Sequence, residues 1–158
     1  MALFRIRFIT ERGFIPWAIR RATFSEFSHA EIVSEDQRSY IGAHAGGGVL
    51  IRSLDYCKPS LERRYAIPCT DAQLAKIMAW ARSKVGTPYD FEDIVGLLFH
   101  HNLSTKGRMI CSMFVYLAAL QGGIEMLNVL PQYANLVTPD TLHLSPLLIG
   151  KSYYSRGG

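Results

Sequence analysis

Apolar and polar positions alternate with a period of two through the first half of the chain, which predicts a series of β-strands. Five stretches show this character: 2–10, 28–36, 38–45, 46–54 and 63–69. The short polar turn at 34–37 joins the second and third strands, so these two are predicted to pair antiparallel. Between the first two strands, apolar spacing at 14–24 predicts a helix, with Pro16 in its first turn.

The second half changes to helical spacing and then to segments rich in helix breakers. Three helices are predicted from apolar residues three or four apart: 71–86, 87–102 after an initial turn, and 108–123. Thr70 is a suitable N-cap for the first of them and Gly86 ends it. A polar loop is predicted at 103–108, an extended and partly irregular segment at 122–150, and a frayed tail at 151–158.

Strands before helices favour the α+β class, with an antiparallel sheet packed against helices. A chain of 158 residues with 49% hydrophobic and 19% charged residues fits one globular domain over 1–158. No apolar run reaches the ~18 residues of a membrane span. The beginning of the chain lacks the pattern of a signal peptide, so we expect a cytoplasmic protein.

The charge and the cysteine content limit which ligands and cofactors the protein is expected to bind. The net charge of +4 comes with scattered arginines and no long basic run, which argues against nucleic-acid binding. Cys57, Cys69 and Cys111 fit no zinc-binding spacing, and an odd number of cysteines cannot all pair. We therefore expect free thiols, no metal and no cofactor.

Cys111 is the cysteine best placed to be a nucleophile. It follows a polar loop and begins an apolar helix, where the helix dipole and the free backbone donors of the first turn favour thiolate. The alternative is that Cys111 is a small buried hydrophobic residue ahead of Phe114 and Val115.

A thiol nucleophile needs a base and a group that orients the base. His29 and Glu31 are two residues apart in one predicted strand and therefore share a face. The predicted hairpin brings His44 of the next strand opposite residues 28–30, so either Glu31 or His44 could be the third group. The remaining histidines are expected to be at the surface or structural: His100, His101 and His143.

Several of these segments together resemble a known group of proteins. They are SHAEIV at 28–33, GAHAGGGV at 42–49, GTPYDF at 86–91 and CSMFVYLAAL at 111–120. Over residues 1–123 the chain resembles the circularly permuted papain-like proteins, in the YiiX-like branch of the superfamily of NlpC-type cell-wall peptidases and lecithin retinol acyltransferase. The permuted order is the one seen here, with His29 before Cys111. Similar small proteins occur in prophages, which would explain release on lysis without a signal peptide.

The resemblance implies a cysteine hydrolase that cleaves an amide bond by acyl transfer, for example in peptidoglycan peptides. Cys111 would be the nucleophile and His29 its base, with Tyr89 and Asp90 lining the substrate cleft. Two positions depart from the pattern. Met113 stands where many proteins of this group have glutamate. Gly42 stands at a second position where several of them have glutamate.

Two other functions fit the same segments. One is a lipid acyltransferase or thioesterase of the same fold, acting on an ester. The other is a binding protein that keeps the fold without turnover. Reactivity of Cys111 towards alkylating reagents separates the enzymes from the binding protein.

Overall fold

The computed structural model describes residues 1–90 and 109–150. All five predicted strands are present: β1 (Ala2–Thr10), β2 (His29–Val33), β3 (Ser39–His44), β4 (Gly48–Ser53) and β5 (Leu61–Cys69). The helices of this part are α1 (Phe14–Thr23), α2 (Asp71–Ser83), α3 (Cys111–Gln121) and α4 (Pro139–His143), with a 3₁₀ helix at Pro131–Leu136. A further helix was predicted within 87–102. Its residues from 91 on, which include His100 and His101, lie outside the described residues. So do the loop at 103–108 and the tail at 151–158.

The five strands form one sheet in the order β4-β3-β2-β1-β5, and each neighbouring pair is antiparallel. The hairpin of β2 and β3 has the predicted direction, with Ile32 opposite Ile41. Continuing that register brings His44 opposite His29, as the hairpin prediction required. The α+β class with an antiparallel sheet is confirmed.

The register separates an apolar face of the sheet from a polar one. Ile6 lies opposite Ile32, and Ile32 opposite Ile41, so these residues share the face that belongs to the hydrophobic core with α2 and α3. The neighbouring pair on β1 and β2 is Arg7 and Glu31, which therefore point to the other face. Both of these charged residues are nonetheless buried.

Helix α3 is apolar on every side because it is enclosed by the sheet, α2 and the 3₁₀ helix. Gly122, directly after α3, allows a close approach to α2: a Cβ there would lie 2.7 Å from the Ile77 side chain. Thr70 caps α2 as predicted, in a capping box with Gln73. The helix ends at Ser83, three residues before the predicted Gly86.

The breaker-rich segment is less extended than predicted, since it forms the 3₁₀ helix and α4. Both begin with proline at the first turn, a position where the missing N–H costs nothing. His143 is structural as expected, with Nε2 2.8 Å from the Tyr65 hydroxyl. Within residues 1–90 and 109–150, no helix has the length and apolar character needed to cross a membrane.

Candidate active site

The hairpin of β2 and β3 brings three of the predicted site residues together. His29 and Glu31 lie on one face of β2, and His29 Nε2 donates a hydrogen bond to Glu31 Oε2 at 3.3 Å. His44 at the end of β3 lies beside them, with its ring centroid 4.6 Å from that of His29. All three side chains are buried.

Cys111 is the first residue of α3, and its side chain lies near enough to His29 to raise the pKa of the imidazole. The helix start has no side-chain cap, because Ile110 at the N-cap position offers no acceptor. The first-turn backbone N–H groups of α3 are therefore directed towards the region of the thiol. Cys111 is only 3% exposed, and all three cysteines are unpaired, as expected.

Glu31 is held by two residues that the sequence did not point to. Arg7 donates from Nη1 to Glu31 Oε1 at 2.8 Å and from Nη2 to Glu62 Oε2 at 2.9 Å. The Tyr56 hydroxyl donates to Glu31 Oε2 at 3.1 Å. The Arg7 guanidinium also lies over the ring of Tyr40, 4.3 Å from its centroid. Glu31 is thus fixed from two sides, with Oε2 oriented towards His29.

The contacts shift the ionisation of this buried pair towards the charged forms. Burial alone would lower the pKa of His29, but its hydrogen bonds with Cys111 and Glu31 raise that pKa well above 6.5. Burial alone would raise the pKa of Glu31, but His29 and then Arg7 lower it below 4.5. At neutral pH the arrangement favours an imidazolium beside a carboxylate.

His44 differs from His29 in both charge and bonding. Burial, and then repulsion from His29, lower the pKa of His44 to about 3, so its ring is neutral at neutral pH. Its Nε2 atom lies 3.8 Å from Glu31 Oε2, too far for a hydrogen bond, and is buried with no hydrogen-bond partner. Of the two candidates for the third group, it is Glu31 that is hydrogen-bonded to His29.

Gly42 explains how the carboxylate fits between the two strands. A Cβ atom at this position would lie 2.9 Å from the Cβ of Glu31 and 3.5 Å from Nε2 of His29. The absence of a side chain at 42 therefore makes the space that Glu31 and His29 occupy.

A cavity of about 290 Å³ opens beside the histidines. His29, His44, Tyr56 and Tyr89 are among the residues that line it. The loop that carries Tyr89 is tied to β4, since Val49 N–H donates to the Thr87 carbonyl at 2.8 Å. Tyr89 thus lines this cavity, and its role in binding substrate stays a prediction.

Asp90 follows Tyr89 along the chain and is also buried. Its backbone N–H donates to the Met109 carbonyl at 3.2 Å, which links this loop to the residues just before α3. The segment therefore connects the cavity wall to the start of the cysteine helix.

Three donor atoms of the cluster are close enough to bind one metal ion. One atom each from His29, Glu31 and His44 lie within 4.8 Å of one another. Two imidazoles and a carboxylate are ligands that Zn²⁺ accepts, and the unpartnered Nε2 of His44 fits such a role. The absence of a metal, argued from the cysteines, stays a prediction.

Comparison with known proteins adds a structural relative. No family model and no curated protein matches the sequence. Among solved structures, the crystal structure of metalloprotein YiiX from Escherichia coli O157:H7, DUF1105, matches with a TM-score of 0.74 and 19% identity over 98% of both chains. The chain has the YiiX fold. The YiiX-like part of the resemblance is thereby supported, and the relation to NlpC-type peptidases stays a prediction.

Sequence reasoning missed Arg7 and Tyr56 for different reasons. Arg7 occupies a polar position of an alternating strand, which normally faces water. Only the register that pairs it with Glu31 shows that it is a buried partner. Tyr56 lies in the turn after β4, where no pattern in the sequence indicates a contact with β2. Neither residue carries a local signal that could have identified it.

Proposed function

We propose that the protein is a cysteine hydrolase in which Cys111 is the nucleophile, His29 the base and Glu31 the residue that orients His29. The observation that carries the proposal is the buried hydrogen bond between His29 and Glu31 behind a cysteine at a helix start, with the side chain of Cys111 near enough to raise the pKa of His29. If Cys111 were only a packing residue of the core, nothing would favour burying a histidine, a carboxylate and an arginine beside it. Each of these groups costs free energy to bury.

The reaction is acyl transfer. Because Nε2 of His29 donates to Glu31, Nδ1 is the atom that takes the proton from the thiol. The carboxylate stabilises the imidazolium so formed, which is the form of His29 that the site favours at neutral pH. The sulfur attacks the carbonyl carbon, and the amine or alcohol leaves with the proton from His29. Water, deprotonated by the same ring, then attacks the thioester and releases the acid and the thiol.

Charge on the carbonyl oxygen is stabilised by the backbone N–H of Cys111 and its first-turn neighbours. This end of α3 has no side-chain cap that would compete for them. The cavity beside His29 receives the substrate, with Tyr89 on its wall. The substrate is an amide such as a peptidoglycan peptide; an acyl ester of a lipid is the alternative.

Site-resolved alkylation tests this proposal. Cys57 is more exposed than Cys111, so exposure alone predicts that Cys57 reacts first with iodoacetamide. Burial raises the pKa of the Cys57 and Cys69 thiols, which slows both. We expect Cys111 to be alkylated fastest at pH 7, measured by mass spectrometry of peptides.

His29→Ala is the matched variant for this assay. It should slow alkylation of Cys111 while leaving the rate at Cys57 unchanged. Hydrolysis of a panel of peptide amides and acyl esters, lost in Cys111→Ala, would then identify the bond cleaved. If Cys111 of the wild type is labelled more slowly than Cys57, the proposal of a cysteine hydrolase is wrong.

A metal centre at His29, Glu31 and His44 is the second candidate. It is favoured by the proximity of the three donor atoms and by the description of YiiX as a metalloprotein. A divalent ion held there would supply a Lewis acid for hydrolysis. Against it, Arg7 already occupies Oε1 of Glu31, and Cys111 already engages His29.

Metal analysis distinguishes the two candidates. The cysteine hydrolase predicts that chelators leave Cys111 labelling unchanged. A metal centre predicts one equivalent of bound metal, which is lost in His44→Ala and kept in Cys111→Ala.

A further inference from the structure

Helix α1 carries an exposed face that the hydrolase proposal does not use. Phe14 is 78% exposed, Trp17 55% and Phe24, the C-cap residue, 83%. The rings of Phe14 and Trp17 stack with their centroids 5.8 Å apart. Residues 14, 17, 21 and 24 are spaced three or four apart, so Arg21 lies in the same stripe as the three aromatic rings.

Phe24 is held in a conformation that disfavours its side chain. Its φ of 51° lies in the left-handed region, which suits glycine or asparagine and is rare for a bulky residue. The ring is exposed, so packing does not compensate for this strain. Stability therefore offers no reason for phenylalanine at this position, whereas contact with a partner does.

The charges around the aromatic rings indicate the kind of partner. The helix contains Arg20 and Arg21 and no acidic residue, and exposed Arg12 comes just before it. Aromatic rings with arginines on one helix are typical of a helix that lies in the interface of an anionic bilayer. We propose that α1 binds the surface of a membrane containing anionic lipids.

The size of the face favours a bilayer over a second copy of the chain. Each aromatic side chain buries at most about 150–250 Å². Three of them fall short of the roughly 800 Å² per partner that a stable protein interface requires. Insertion of a few side chains between lipid headgroups needs no such complementary surface.

The position of α1 gives this contact a consequence for the site. Pro16 in the first turn of α1 lines the same cavity as His29 and His44. A bilayer bound to this face would thus lie next to the cavity, and an acyl lipid would have the shortest path into it. The membrane contact itself stands independently of the proposed hydrolysis, because its test measures binding alone.

Flotation of the full chain with vesicles tests the inference. We expect binding to vesicles in which a quarter of the lipid is phosphatidylglycerol, and little binding to phosphatidylcholine alone. Each arginine near an anionic surface contributes about fivefold in partitioning. Arg20→Ala with Arg21→Ala should therefore weaken binding about thirtyfold.

Variants of the aromatic residues separate loss of binding from loss of folding. Phe24→Asn should weaken vesicle binding while keeping or raising the melting temperature, since asparagine tolerates the left-handed conformation. Leu130→Ser is the matched control, because Leu130 is 59% exposed and belongs to the start of the 3₁₀ helix rather than to α1, so this change should leave binding unchanged.

Two outcomes would overturn the inference. The first is equal binding of the wild type and Phe24→Asn to the anionic vesicles. The second is no vesicle binding together with a dimer in sedimentation velocity that Phe24→Asn abolishes, which would make this face a contact between two copies.

Discussion

Replacing Arg7 by methionine tests whether Glu31 is ionised inside the fold. Arg7 is 1% exposed and Glu31 is 0% exposed, and their ion pair at 2.8 Å is therefore shielded from water. Methionine preserves most of the volume and removes the charge. Breaking a buried pair typically costs about 3–5 kcal/mol. His29 and Tyr56 would remain as partners of Glu31, so we expect a loss towards the lower end of that range. That is a large part of the ~5–15 kcal/mol by which a domain is stable.

Arg64→Met is the matched control. Arg64 pairs with Glu62 at 2.6 Å, but its side chain is 44% exposed. A solvated pair of this kind contributes roughly 0–1 kcal/mol. Urea unfolding at pH 7, followed by circular dichroism, gives both free energies from the midpoint and the slope.

The pH dependence of the unfolding free energy gives a second test on the same variant. The pKa of Glu31 is lowered in the folded state, so its ionisation stabilises the fold above about pH 4.5 and this contribution is lost as pH falls further. Without Arg7 the folded pKa of Glu31 rises, and the loss should begin at higher pH. An Arg7→Met variant within about 1 kcal/mol of the wild type, at unchanged slope, would refute an ionised, buried Glu31.

Three further outcomes are expected. His44→Gln should gain stability relative to the wild type as pH falls below 6.5, because the folded pKa of about 3 keeps His44 neutral while the unfolded chain takes up a proton. Urea titrations from pH 7 to 5 should show this as up to about 1.4 kcal/mol per pH unit. Cys111→Ala should lower the melting temperature by about 2–4 °C, a loss of about 1 kcal/mol, in a scan that shows one transition. Glu31→Gln should slow alkylation of Cys111 at pH 7 without changing the rate at Cys57, and equal rates at Cys111 would remove Glu31 from the proposed chain.

The sheet could be predicted from the sequence because its signals are local. Alternation marks each strand, and the turn at 34–37 is short enough to determine the direction of the hairpin and to bring His44 opposite residues 28–30. This hairpin, with His29 and Glu31 on one face of its first strand, predicted that His29, Glu31 and His44 lie close together. The class and the start of α3 at Cys111 were predicted for the same reason.

The ion pair that holds Glu31 in place could not be predicted, because it depends on pairing between strands that are distant in the sequence. Arg7 meets Glu31 and Glu62 only after β1 has entered the sheet between β2 and β5. The choice between Glu31 and His44 likewise required the positions of side chains, which alternation does not provide. The short helices after α3 were missed because prolines that break one helix also begin another.

The space at Gly42 makes positions 31 and 42 depend on each other. A side chain at 42 and the present Glu31 exclude each other, since their Cβ atoms would lie 2.9 Å apart. Any residue other than glycine at 42 would therefore force β2 and β3 to shift, and with them the strand that carries both His29 and Glu31. Position 42 thus controls the geometry of a site to which it contributes no side chain.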